Sequence, residues 1–364
     1  MFPEQKSTPS GPAFRPGRRS GRPGRPALFL AAGFAAALLS AGAGHAGPGG
    51  LLRASAPVAI TTTGDHEKPC LAARPGGGAY LAWAERAPQG TSVLFAVSRD
   101  GLRFGPPVRV STDGMDLDLG AENGPTVEVG PEGRIYVAWV AGSWKVKSNH
   151  GHGARAASGN GEKKKGPPPR PGNLSIFLAV SEDDGKTFSY PVRVNDDPNG
   201  PEHRFPALAT DRNGTLYVAW LDKRKETPER PGFSRVFMTK STDGGKTFAR
   251  SVDATAGQEY GICHCCRLAL VAHPREGLRL AFRNDVNDMR DIFQVETKDG
   301  ATFSPPTPIE NYRWTIPSCP FNGPSLAFDP DGNLHAVWMT GGNTAGKPLV
   351  GEVTGATYKV MYRY

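Results

Sequence analysis

Three cysteines stand within four positions in the stretch 261–266, GICHCC, with His264 among them. A fourth, Cys319, begins CPFNGP, and Cys70 is the fifth. Thiolate sulfur and imidazole nitrogen are ligands suited to Zn²⁺ or Cu⁺, so Cys263, Cys265, Cys266 and Cys319 form a candidate metal set. The C-x-C-C spacing is not a common zinc spacing, however, and adjacent ligands strain a tetrahedral site. In an oxidising compartment the same thiols pair as disulfides, which is the favoured expectation here. Five cysteines cannot all pair within one chain. Cys70 directly follows Pro69 at a strand start and is expected as a buried, inert thiol. A nucleophilic thiol activated by His264 is disfavoured, because neighbours along a strand point apart.

What these residues can do depends on the elements that carry them. An alternating, aromatic-ended strand recurs: GAYLAW (78–83), RIYVAW (134–139), TLYVAW (215–220), LRLAF (278–282) and NLHAVW (333–338). Fourteen residues before four of the terminal tryptophans stands a proline: Pro69, Pro125, Pro206 and Pro324. A second strand follows each of the first four copies, and then a turn: SRDGLRF (98–104), SEDDGKTF (181–188), STDGGKTF (241–248) and TKDGATF (297–303). In such a turn a short Asp or Ser side chain accepts backbone N–H bonds and Gly takes the φ > 0 position. Repetition on four units assigns Asp100, Asp183, Asp243 and Asp299 to structure and not to catalysis.

The pattern S-x-D-x-G-x-T-F between strands resembles the Asp-box, or BNR, repeat of the sialidase-like β-propellers. Residues 181–188 and 241–248 match it fully, and the first and fourth copies are one residue short. The resemblance spans roughly 57–364 and implies an all-β propeller of four-stranded blades. It implies no particular activity. Five aromatic strands give five blades, with a six-bladed ring as the alternative. The segment APVAITTT (56–63) resembles the fourth strands PVRVST and PVRVND, and is expected to complete the last blade and close the ring.

In such propellers the first strand of each blade lines the central channel, and the segment before the proline sits at one mouth, opposite the Asp turns. That ring would hold Asp65, His66, Glu67, Lys68 and Cys70 from blade one, and Glu122 and Asn123 from blade two. Blade three would add Glu202, His203 and Arg204, blade four the three cysteines with His264 and Arg267, and blade five Cys319 and Asn322. All five cysteines then fall at one level, and a blade-four cysteine could be bridged to Cys319 if their Cα atoms lie within about 7 Å. The segments after the inner tryptophan strands, with Asp222, Lys223, Arg224, Arg283 and Asn284, are expected at the same mouth. This concentration of polar groups makes it the candidate site, with His66, Glu122, His203, Arg204, His264 and Arg267 as ligand-binding residues.

Sialidases of the resembled family hold an anionic sugar with three arginines and use a tyrosine–glutamate pair with an acidic acid/base. Their first arginine lies in an R-I-P motif entering blade one, where this chain has Glu67-Lys68-Pro69. Arg204-Phe205-Pro206 has the R-x-P shape, but on blade three. The resemblance leaves Arg204, Arg267 and Arg283 as a candidate guanidinium cluster, with Glu202 or Tyr260 beside it and no nucleophile assigned. Segments 263–267 and 319–324 resemble those of uncharacterised bacterial members, which implies a non-sialidase subgroup.

The formal net charge of +8 is localised. Residues 1–46 carry six Lys/Arg against one Glu, and residues 143–172 carry seven against one Glu. The remainder is net acidic, which argues against a nucleic-acid-binding face. Residues 1–46 have a basic start, the apolar run ALFLAAGFAAALLSAGAG and small residues at the end, the pattern of a signal peptide with no membrane span after its removal. Residues 143–172 are rich in Gly, Pro, Lys and Ser and are expected as a disordered basic loop within the 47–364 propeller. The expectation is a secreted or periplasmic propeller that binds a small-molecule or glycan ligand at the Cys/His/Arg mouth. The alternatives are an exo-sialidase-type glycoside hydrolase and a soft-metal-binding or redox protein; no cofactor is certain.

Overall fold

The computed structural model describes residues 65–88, 90–120, 122–142, 174–197, 200–342, 349–352 and 359–363. The expected leader (1–46), closing strand (56–63) and basic loop (143–172) lie outside them. Among the described residues there is no helix, hence none long and apolar enough to cross a membrane. The strands form five antiparallel sheets, the five blades expected.

Blade one is β1 (Asp65–Ala73), β2 (Ala79–Ala87), β3 (Gly90–Ser98) and β4 (Val108–Arg109). Blade two is β5 (Thr126–Val129), β6 (Ile135–Gly142), β7 (Leu174–Ser181) and β8 (Val192–Arg193). Blade three is β9 (His203–Thr210), β10 (Leu216–Asp222), β11 (Arg235–Ser241) and β12 (Val252–Asp253). In blade four the inner strand is split into β13 (Gly261–Ile262) and β14 (Ala269–Ala272), both paired with β15 (Leu278–Asp285), then β16 (Ile292–Thr297) and β17 (Thr307–Pro308). Blade five is β18 (Ser325–Phe328), β19 (Leu334–Thr340), β20 (Leu349–Glu352) and β21 (Lys359–Arg363), in the spatial order β18-β19-β21-β20. Its outer place is taken by β20, an element not anticipated from the sequence, which pairs with β21. The inner strands pack in the order β1, β5, β9, β14, β18.

The aromatic strands are almost continuously apolar because a blade is covered on both faces. Alternate residues of β10 point to opposite sides. Leu216, Val218 and Trp220 join Tyr136, Ala138 and Val140 of blade two, while Tyr217, Ala219 and Leu221 join Leu278, Leu280 and Phe282 of blade four. The same alternation sends Trp139 of β6 back to Tyr80 and Ala82 of blade one.

The Asp turns join the third and fourth strands. In the full copies Asp183 and Asp243 each accept the Thr backbone N–H four residues on (2.9 and 3.0 Å), the Thr hydroxyl and the preceding Ser hydroxyl. Those bonds, the threonine side chain first, bring the Asp183 carboxyl down to about 2. In the shorter copies Asp100 accepts from Leu102 and Arg103, and Asp299 from Ala301 and Thr302.

The turns of blades two, three and four each set a glycine against the blade before it. Gly185 of blade two lies on the Phe95 ring of blade one, Gly245 of blade three on Leu178 and Tyr136 of blade two, and Gly300 of blade four on Tyr217 of blade three. All three have positive φ, so glycine is required both for backbone conformation and for contact. A Cβ on Gly300 would stand 2.7 Å from Tyr217 Cε1, whereas one on Gly101 (φ +75) would meet nothing within 4 Å. Gly300→Ala is therefore expected to destabilise the fold by about 2–4 kcal/mol and Gly101→Ala by about 1 kcal/mol, the backbone strain alone. Denaturant midpoints check this; equal losses for the two variants would contradict the packing account.

Candidate functional site

The candidate site is the mouth at which β9, β1 and the inner strands of the other blades begin. His203 at the start of β9 stands opposite Asp222 at the end of β10, and Asp65 at the start of β1 stands opposite Arg86 near the end of β2. Chain direction thus places the segments before the prolines and those after the second strands together, away from the Asp turns.

The marked prolines end regular pairing. The β1–β2 register shifts between Glu67 and Cys70, and the β9–β10 register shifts after Arg204. The residues immediately before Pro69 and Pro206, Lys68 and Phe205, have φ of 57° and 55°. A non-glycine residue at positive φ is uncommon and strained before proline, and a bulge re-aims the side chains around it. Where blades two and five have Gly124 and Gly323 in this position, a Cβ would run into Lys68 and into the Arg267 backbone, respectively.

These bulges are tied across blades. Phe205 N–H donates to Asn123 Oδ1 (2.9 Å), and Asn123 Nδ2 donates to Asp118 Oδ2 (2.9 Å). Arg267 Nε donates to the Glu122 carbonyl (2.7 Å). Burial pushes the Glu122 carboxyl up, against the opposing pull of Arg267 and Lys68. Arg204 Nε is 3.4 Å from Asp118 Oδ2 and 3.5 Å from Glu202 Oε2, while Lys223 Nζ is 2.9 Å from the same Glu202 oxygen. These groups are mostly covered but reach solvent, with side-chain exposures of 13–18%. His264 lies beside them; burial, then the charges of Lys223, Arg290 and Arg204, take its imidazole down to about 4. At neutral pH it is uncharged, with one donor and one acceptor nitrogen. On blade one, His66 Nδ1 accepts from Trp83 Nε1 (3.0 Å).

Two of the sequence candidates are buried and a third is partly exposed. His203 is fully buried and therefore not presented to a ligand. Its Nδ1 is 2.6 Å from the Leu174 carbonyl, and Nε2 is 2.8 Å from Asp197 Oδ1 and 3.3 Å from Asp222 Oδ2. Arg283 is 1% exposed and donates to the Asn322, Arg290 and Met339 carbonyls, so it cannot join Arg204 and Arg267 in an anion clamp. Tyr260 packs edge-on against Phe293. Asp118, Asp197 and Arg290 were missed. Asp197 follows β8, and the fourth strand of a blade runs back from the Asp turn to this mouth; that direction was available as a signal.

Among the described residues, two groups of side chains bring ligand atoms within 4.8 Å of one another: Asp197, His203 and Asp222, and Cys263, Cys265 and Cys319. In the first, Arg224 Nη2 lies 3.2 Å from Asp197 Oδ1 and 2.7 Å from Asp222 Oδ2, so a cation already fills the space a metal would take. In the second, Cys265 and Cys319 form a disulfide with Cα atoms 6.4 Å apart, which leaves one thiol of the three and does not fit Zn²⁺ or Cu⁺. Cys263, Cys265 and Cys266 are buried against Cys319 and Phe321. Cys70, expected beside them, instead packs in the cluster between blades one and two, where burial raises its thiol pKa. Two clefts of about 670 and 460 Å³ lie elsewhere, between blades four and five on the Asp-turn side, sharing His273, Arg279 and Phe328.

Burial opposes charge on His203, but Asp197 and Asp222 outweigh it and lift the imidazole to about 9. A raised histidine pKa gives stability that is complete below about 6.5 and lost as pH rises through about 9. Urea unfolding should show wild type losing a few kcal/mol more than His203→Gln between these pH values. Parallel pH profiles for the two proteins would contradict the ion-pair network.

No curated protein matches the chain. Among solved structures, a protein of unknown function from Dyadobacter fermentans is 17% identical, over 81% of this chain and 74% of that one, with TM-score 0.52, and shares the fold. A Hadza microbial sialidase is 18% identical over 77% of this chain and 54% of that one (TM-score 0.48), so this chain spans about half its length. The intramolecular trans-sialidase from Ruminococcus gnavus is 14% identical over 82% and 84% (TM-score 0.48). The BNR repeat-like domain family matches residues 84–335, from the end of the first aromatic strand into the last. With five blades and four Asp turns in place, this chain belongs to the BNR-repeat, sialidase-like propeller family.

Proposed function

We propose that this chain is an exported propeller that binds a glycan at the proline-side mouth. The observation that carries the reading is the group formed by Glu202, Arg204, Lys223 and neutral His264, drawn together from blades three and four and still reaching solvent. Saccharide hydroxyls both donate and accept. A carboxylate beside a guanidinium, an ammonium and an uncharged imidazole meets both needs within a few ångströms. Membership of the sialidase-like propeller family supports a saccharide over other small molecules. The leader-like residues 1–46 support export.

Binding is favoured over hydrolysis because Arg204, Arg267 and Arg283 do not converge as one anion clamp. Arg267 is bonded to the Glu122 carbonyl and Arg283 is buried, while Arg204 is shared between Asp118 and Glu202. Tyr260 packs edge-on against Phe293.

Calorimetric titration with a panel of neutral and carboxylate-bearing oligosaccharides tests this. At least one should bind, and Arg204→Ala or Lys223→Ala should weaken it by about tenfold, the loss of one charge-assisted hydrogen bond. No binding across the panel, or unchanged binding in both variants, would contradict the assignment. Turnover of a fluorogenic sialoside that disappears in Arg204→Ala would replace it with the hydrolase.

A further inference from the structure

The mouth holds a second set of groups that glycan binding does not use. Cys263 Sγ lies 3.5 Å from Cys265 Sγ, one half of the Cys265–Cys319 disulfide, and 3.4 Å from Cys266 Sγ. A free thiol is thus in contact with a disulfide on one side and with a second free thiol on the other. Arg290, itself 7% exposed, places Nη1 3.2 Å from Cys263 Sγ. The Cys266 S–H bond, with the Arg290 and Arg283 charges, lowers the Cys263 thiol against its burial, while burial raises Cys266. Arg290 also faces Asp285 (3.1 Å) and Asp288 (3.7 Å), so its charge is shared between sulfur and carboxylate. A thiolate next to guanidinium groups is the reactive form of cysteine. Cys319 is only half-buried, unlike the three cysteines of blade four.

We propose that Cys263, Cys265, Cys266 and Cys319 form a thiol–disulfide exchange site in which the buried Cys263/Cys266 dithiol is oxidised by an external disulfide acting through Cys319. In the first step the Cys263 thiolate attacks Cys265 Sγ. The 263–265 bond forms, the 265–319 bond breaks, and its electron pair leaves on Cys319 Sγ, which takes a proton. Cys266 then gives up its proton and attacks Cys263 Sγ; the 263–266 bond forms and Cys265 leaves as a thiolate that is protonated. No electron has left the chain, but the disulfide now joins the buried pair, and two thiols stand at Cys265 and Cys319. The Cys319 thiolate attacks an external disulfide R–S–S–R, forming a mixed disulfide and releasing one R–SH. Cys265 resolves the mixed disulfide, restoring the 265–319 bond and releasing the second R–SH. The net result is a chain with two disulfides in exchange for one reduced external disulfide. This inference is independent of the glycan reading.

Glutathione disulfide is the probe. Incubated with the full chain, it should lower the free thiols of the denatured protein from three, Cys70, Cys263 and Cys266, to one, with two glutathiones released. Peptide mapping should then show 263–266 alongside 265–319. Cys263→Ser should keep the 265–319 disulfide and form no second one, Cys319→Ser should slow glutathione release by at least about tenfold, and Cys70→Ser should behave as wild type. A thiol count that stays at three, a loss confined to Cys70, or a stoichiometric metal that survives dialysis and holds the sulfurs would overturn the proposal.

Discussion

Blade-to-blade packing through a glycine is the contact on which the rest of the structure depends. A four-stranded blade is apolar on both faces and cannot stand alone. In the described turns of blades two, three and four, the Asp-turn glycine sits at positive φ directly on an aromatic ring of the preceding blade: Phe95, Tyr136 or Tyr217. The aspartate fixes the turn by accepting its N–H groups, and the turn fixes the distance between blades. The opposite ends of the aromatic strands lie at the mouth.

At that mouth regularity is given up. Prolines stop the ladder, and bulges place Lys68 and Phe205 in conformations a strand would not choose. The bonds Asn123–Phe205 and Arg267–Glu122 hold these segments to one another across blades. Strained backbone held in place by its neighbours is the arrangement expected where a surface must present particular groups. The scaffold end and the working end of each blade are therefore opposite ends of the same strands, and the two sets of residues are under different constraints.

That division also explains what was legible in the sequence. The Pro-to-Trp spacing and the Asp turns repeat because every blade faces the same packing problem, so blade number and the strand order of the first four blades could be read directly. The mouth does not repeat. His203 and Arg204 are neighbours in the sequence, yet the first is sealed beneath Asp222 and the second reaches solvent; the bulge at Pro206 decides this, and no periodicity announces it. Arg283 looked like an anion ligand, but its donors are consumed by three backbone carbonyls brought in from other segments. Cys70 shares the level of the other cysteines but lies in a different cluster, a distinction of azimuth that register alone does not give. The β20 strand escaped notice because it pairs only with β21 and belongs to no repeat.

The central claim is that the proline-side mouth, and not the Asp-turn face with its two clefts, is the working surface. Amide hydrogen exchange of the full chain with and without a bound oligosaccharide tests it most directly. Protection confined to segments 202–206, 223–234 and 261–267 is the predicted result. Protection instead at 273–279 and 297–304, around the clefts between blades four and five, would contradict it.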